Sequence, residues 1–99
     1  MTFVNMGTLQ TRTGHRDEVV TIRTRNNPDL VDAGCLLYEV GVDDELDTVF
    51  VAELWTSAEA HRASLSLDSV RAAIAEALPL LTGQMGGHRY AVVGSPLRD

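Results

Sequence analysis

Residues 34–59, GCLLYEVGVDDELDTVFVAELWTSAE, decide how this chain folds. Two apolar runs, Gly34 to Val42 and Thr48 to Trp55, flank the polar segment Asp43-Asp44-Glu45-Leu46-Asp47. Runs rich in Val, Leu, Phe and Tyr on either side of a polar turn read as the two strands of a hairpin. Thr56-Ser57-Ala58-Glu59 then fits a capping box, in which the threonine and the glutamate satisfy each other's free backbone donors. A helix therefore starts just after Trp55.

Outward from this stretch, the elements alternate. Upstream, Thr2 to Thr11 is rich in Phe, Val, Thr and Leu, lacks a helix-period stripe and is broken at Thr13-Gly14, which marks a strand. A helix from about Gly14 to Arg25 places Val19, Ile22 and the Arg23 stem on one side, and Asn26-Asn27-Pro28 closes it because proline cannot continue a helix. Downstream, Ser66-Leu67-Asp68 breaks the helical pattern, and Leu67, Val70, Ile74, Leu78 and Leu81 recur at helical spacing toward Gly83. Gly86-Gly87 reads as a turn and His88 to Val93 as a short last strand.

The order strand, helix, strand, strand, helix, strand is the split pattern of an α+β ferredoxin-like βαββαβ sandwich, with helices on one face of an antiparallel sheet. Residues 1–99 make one domain, since halves of so short a chain are too small to bury a core. Cys35-Leu36-Leu37-Tyr38 and Val49-Phe50-Val51-Ala52 are apolar on both faces, whereas a sheet with one wet face alternates. A second copy is the simplest cover, so a homodimer is expected.

Composition narrows the function. A hydrophobic share of 44% with 22% charged residues belongs to a globular protein, and the net charge of −6 argues against nucleic acid and anionic membrane surfaces. All eight positive charges are arginines, without a dense cluster. Cys35 is the sole cysteine, so no intrachain disulfide forms, and no long apolar run suggests a span or a leader; a cytoplasmic protein is expected. No His-x-x-x-His or Cys-x-x-Cys metal spacing, phosphate-cradling glycine loop or Gly-x-Ser-x-Gly elbow occurs, so neither a metal nor a bound cofactor is expected.

Gly34-Cys35-Leu36-Leu37-Tyr38-Glu39, Phe50-Val51-Ala52-Glu53-Leu54-Trp55 and Ser57-Ala58-Glu59-Ala60 resemble, in order and spacing, the motifs of the antibiotic-biosynthesis monooxygenase family. The resemblance extends over about the whole chain. It implies a dimeric α+β barrel of ferredoxin-like subunits and, in some members, oxidation of phenols, quinols or anthrones by O2 without flavin or metal. Many members carry a histidine nine residues after the tryptophan; here that place is Ser64, and His61 stands six residues after it. Haem-degrading relatives use an asparagine, a tryptophan and a histidine. Asn5 is present, but Ser64 and Ile74 occupy the other places, which argues against haem degradation.

Cofactor-free oxidation needs a flat apolar pocket, a base and donors for the developing oxyanion. His61 is the candidate base, because an unperturbed imidazole titrates near neutrality; a histidine in the first turns of a helix is equally at home in solvent. Trp55 and Tyr38 are candidate pocket residues, either of them also suited to a core, and Asn5, uncommon in mid-strand, is an auxiliary. Arg89 and Tyr90 can reach the same cavity. Glu39 and Glu53 fall opposite each other on one face of a hairpin centred on Leu46, as a proton relay if buried or as partners of an arginine such as Arg89 if not. The expected activity is cofactor-independent monooxygenation of phenolic, quinol or anthrone-like metabolites. The alternatives are a non-catalytic dimer that binds a small hydrophobic metabolite, and a polyketide isomerase or cyclase that consumes no oxygen.

Overall fold

A computed structural model describes residues 1–98. The elements are β1 (Phe3–Thr11), α1 (Arg16–Arg23), α2 (Pro28–Asp32), β2 (Cys35–Val42), β3 (Thr48–Trp55), α3 (Ala58–Ser64), α4 (Asp68–Ala77), a 3₁₀ turn at Leu78–Leu80 and β4 (Leu81–Ala91). The strands form one antiparallel sheet in the order β2-β3-β1-β4, the ferredoxin-like topology of an α+β fold. No helix among the described residues is long and apolar enough to cross a membrane.

Four local features differ from expectation. Pro28 does not merely end the first helix: Asn27 caps a new one by accepting the Asp29 N–H at 3.1 Å, and proline suits the first turn because its missing N–H is not needed there. Ser57, not Thr56, caps α3, its Oγ accepting from the Ala60 N–H at 3.0 Å. Thr56 turns back instead, its N–H donating to Gly34 O at 2.9 Å. Gly34 has φ +105°, and a Cβ there would lie 2.5 Å from Thr56 Oγ1, so this corner requires glycine.

The apolar period beyond Ile74 is not all helix. Pro79 forces a 3₁₀ turn, and Leu81 already belongs to β4. Gly86-Gly87 is not a turn either, because β4 runs straight through it, with Gly87 paired to Gly7. A Cβ on Gly87 would sit 2.0 Å from Met6 O, at φ +132°. The glycines there mark close approach of β1 and β4, which sequence reads as easily for a bend.

Antiparallel register assigns the faces. Leu9, Val49 and Leu81 of the sheet pack with Val19 of α1 into a dry core at one end of the helix-covered face. Further along the same strands, past the Gly7–Val51 pair, that face becomes polar. The opposite face presents Met6, Leu37, Phe50 and Tyr90, all exposed.

Candidate functional site

One cross-strand row of side chains organises the polar end. Tyr38 on β2 pairs with Glu53 on β3, Glu53 with Asn5 on β1, and Asn5 with Arg89 on β4. Neighbouring strands lie ~4.8 Å apart, so this rung crosses the whole sheet over about 14 Å. Each member faces the helices because partners opposite one another in an antiparallel ladder share a face.

The rung is hydrogen-bonded through its middle. Asn5 Nδ2 donates to Glu53 Oε2 at 2.8 Å, Trp55 Nε1 donates to Glu53 Oε1 at 3.1 Å, and Arg89 Nε donates to Asn5 Oδ1 at 3.1 Å. Both carboxylate oxygens of Glu53, a residue only 7% exposed, are thereby engaged. At the β2 end, Arg23 of α1 donates through Nη1 to the Tyr38 hydroxyl at 2.9 Å. Burial holds the Tyr38 phenol above its usual pKa, outweighing the opposing pull of the Arg23 charge. Tyr38 therefore stays a donor across the physiological range.

Above the rung lies a cavity of about 910 Å³ between sheet and helices. Val51, Leu65, Val70 and Ile74 supply apolar wall, and Asn5, Tyr38, Glu53, Trp55, Arg23 and Arg89 supply its polar floor and ends. Gly7 and Gly87, which carry no side chain, keep space open over β1 and β4. The wall is braced where Ser69 of α4 accepts from Asn27 Nδ2 at 3.2 Å and donates to Asp29 Oδ2 at 2.9 Å. Arg25 and Glu76 also line the cavity and form a two-pronged ion pair at 2.6 and 2.7 Å between α1's trailing end and α4.

Among the residues singled out from sequence, Asn5, Tyr38, Glu53 and Trp55 converge on this cavity. His61 stands apart. It is 8% exposed and packed behind the cavity, its ring centroid 5.4 Å from Trp55 in an edge-on contact and 5.6 Å from Phe3; it does not line the cavity. Burial lowers its pKa, Glu53 opposes that shift, and Arg89 and Arg62 reinforce it. Its neighbour across the helix turn, Ser64, is buried and donates to His61 O at 2.6 Å.

Glu39 is not opposite Glu53. The hairpin closes on the Val42–Val49 pair, which puts Tyr38 opposite Glu53 and Glu39 opposite Ala52, on the outer face. A register one residue from that expected moves a side chain to the other side of the sheet. The two carboxylates therefore form no relay. Arg23 was the residue sequence reasoning passed over as a helix-packing stem. Its signal was a charge one position beyond Ile22 and one turn beyond Val19, on the face that packs inward.

Residues 2–76 match the family model for antibiotic biosynthesis monooxygenase. The chain belongs to this family. A candidate antibiotic biosynthesis monooxygenase from Chloroflexus aurantiacus J-10-fl has a similar structure, with 33% identity, 96% of each chain covered and a TM-score of 0.75. More distant sequences share the fold: one from Nitrosomonas europaea is 10% identical with a TM-score of 0.81, over 93% of this chain and 90% of that one. Another, from Caulobacter crescentus CB15, is 22% identical with a TM-score of 0.77, over 94% and 91%. No curated protein matches the chain significantly.

Proposed function

We propose that this family member is a cofactor-independent monooxygenase of electron-rich polycyclic or phenolic aromatics, working as a homodimer. The observation that carries the proposal is the rung itself: a fixed carboxylate flanked by amide, indole, phenol and guanidinium donors on the floor of a largely apolar cavity. A flat aromatic fits against Val51 and the α4 wall, and donors at the rung suit an oxyanion better than a neutral carbonyl.

For an anthrone, the reaction balances without a further reductant. Glu53 removes a ring-methylene proton, and the resulting enolate passes one electron to O2. The radical pair joins in a C–O bond to give a hydroperoxide, and loss of water leaves the quinone. Glu53 has direct access to the cavity. His61, behind Trp55, acts through electrostatic coupling to Glu53 rather than by touching substrate, so its contribution belongs in the pH profile.

The homodimer reading is supported by the outer face, where Val4, Met6, Leu37, Phe50 and Tyr90 line up across all four strands. Contiguous apolar surface of this kind marks an interaction site. A second reading, a non-catalytic binder of a hydrophobic metabolite, is favoured by one observation: the histidine lies outside the cavity lining.

Oxygen uptake by the metal-free protein with a panel of quinols, anthrones and flavonols tests the proposal. Uptake in the wild type that falls roughly a hundredfold in Glu53→Gln is expected for a lost proton acceptor. Ligand binding without uptake in the wild type transfers the cavity to the binder reading, and turnover of a polyketide without uptake transfers it to isomerase or cyclase chemistry.

A further inference from the structure

The β2 end of the cavity holds two donors with nothing to receive them. Arg23 gives one N–H to the Tyr38 oxygen and forms no ion pair among the described residues. Tyr38, having accepted that bond, keeps its own O–H proton, which reaches no acceptor among the described residues. A half-buried guanidinium and a half-buried phenol, 2.9 Å apart, thus face one cavity with donors to spare. Adjacent donors that meet no acceptor among the described residues and line one cavity suit an acceptor that enters from outside.

Charge points the same way. The cavity is lined by three arginines, Arg23, Arg25 and Arg89, against two glutamates, Glu53 and Glu76, while the whole chain carries −6. Arg25 and Glu76 neutralise each other. Glu53 is engaged by Asn5 and Trp55, and Arg89 is tied at Nε to Asn5. What remains is a lining one positive charge in excess, and the least solvated guanidinium is Arg23, because Arg89 on the edge strand is exposed and screened.

We infer that Arg23 is a specificity-determining residue and that the ligand of this cavity is an aromatic acid, whose carboxylate takes N–H donors from Arg23 and the O–H of Tyr38. This rests on the cavity being the ligand site, as proposed above, and adds which aromatic it takes. Two donors of different elements match the two oxygens of one carboxylate, and a fork of guanidinium N–H groups is the strongest partner a protein offers such a group. With the acid held over Tyr38, the ring system extends along the rung toward Glu53 and Asn5, placing its far side at the carboxylate that removes a proton.

The test uses a matched pair of fluorescent probes, 3-hydroxy-2-naphthoate and its methyl ester, titrated into the wild type, Arg23→Gln and Arg23→Lys. The wild type should bind the acid roughly tenfold or more tighter than the ester, the difference expected for a charge-assisted hydrogen bond. Arg23→Gln should lose that preference, its acid-to-ester affinity ratio falling to about one, and Arg23→Lys should restore part of it. A circular dichroism spectrum matching the wild type's certifies that each variant is folded; should Arg23→Gln fail to fold, Tyr38→Phe, which loses one donor, must lower the acid-to-ester affinity ratio. Equal binding of acid and ester by the wild type overturns the inference and leaves the cavity reading standing. A preference that survives in Arg23→Gln overturns the role of Arg23, and binding of neither probe overturns both readings together.

Discussion

The two ends of the space between sheet and helices are built from the same strands and do opposite things. At one end Leu9, Val49 and Leu81 close on Val19, and Val19 and Val49 are fully buried. At the other, two rungs along, Asn5 and Glu53 occupy the equivalent inward positions, and the helices stand off over a cavity. Burying the first set is stabilising at ~25 cal/mol per Å² of apolar surface. Burying the second requires that each polar atom find a partner and contributes little to stability even when it does. One end holds the fold together, and the other spends part of that stability on a prearranged set of donors and one carboxylate.

The largest effect should come from damage to the dry end. Leu81→Ala should cost about 2–5 kcal/mol in urea unfolding, while the folded fraction keeps its ligand affinity, because Leu81 does not line the cavity. Loss of binding by the folded variant would show that the two ends are not separable. Glu53→Gln should act mainly on turnover, reduced roughly a hundredfold, with stability lowered by about 1–3 kcal/mol because the new amide nitrogen faces the Asn5 or Trp55 N–H. Should its stability fall as far as that of Leu81→Ala, the rung is structural and the contrast fails.

The outer face extends the comparison to a third surface. Phe50→Lys should weaken self-association by at least roughly tenfold in sedimentation, since an isologous interface receives the new charge twice. It should leave monomer unfolding nearly unchanged, as Phe50 contributes nothing to the inward face. A protein that sediments as a monomer before mutation would remove the second copy from the account.

The smallest effect concerns His61. Burial lowers its pKa, so below the ordinary imidazole value the unfolded chain takes up a proton that the folded chain resists. Its neutral form is fully compatible with the fold above that value, and stability should fall as pH drops from about 6.5 toward the lowered folded value. His61→Gln should flatten that part of the stability curve. The same variant should also change the rate profile over the pH range in which His61 takes up its proton; an unchanged profile would reduce His61 to packing against Trp55 and Phe3.

Much of this was readable beforehand. The β3 strand at Thr48–Trp55, the helix following Trp55 and the uncovered second face all follow from local composition and period-2 patterning. Asn5, Tyr38, Glu53 and Trp55 could be nominated as polar or amphipathic residues on apolar strands. Their alignment could not. It depends on register, and a hairpin offset by a single residue was enough to pair Glu53 with the wrong partner, Glu39, in place of Tyr38. Gly86-Gly87 misled for a related reason, since glycine serves both a bend and a close strand contact, and only the neighbouring strand distinguishes them.

The sequence by itself determined the order of elements, the family and the residues able to carry chemistry, because propensity, periodicity and short motifs act over a few neighbours. Only the tertiary structure decided which of those residues meet: that Tyr38, Glu53, Asn5 and Arg89 share one rung, that Arg23 reaches across from α1 to its end, and that His61 lies behind Trp55. The rung and the Arg23 contact join residues 15 to 84 positions apart. They are set by strand register and helix packing, in which a displacement of one residue reverses a side chain's direction.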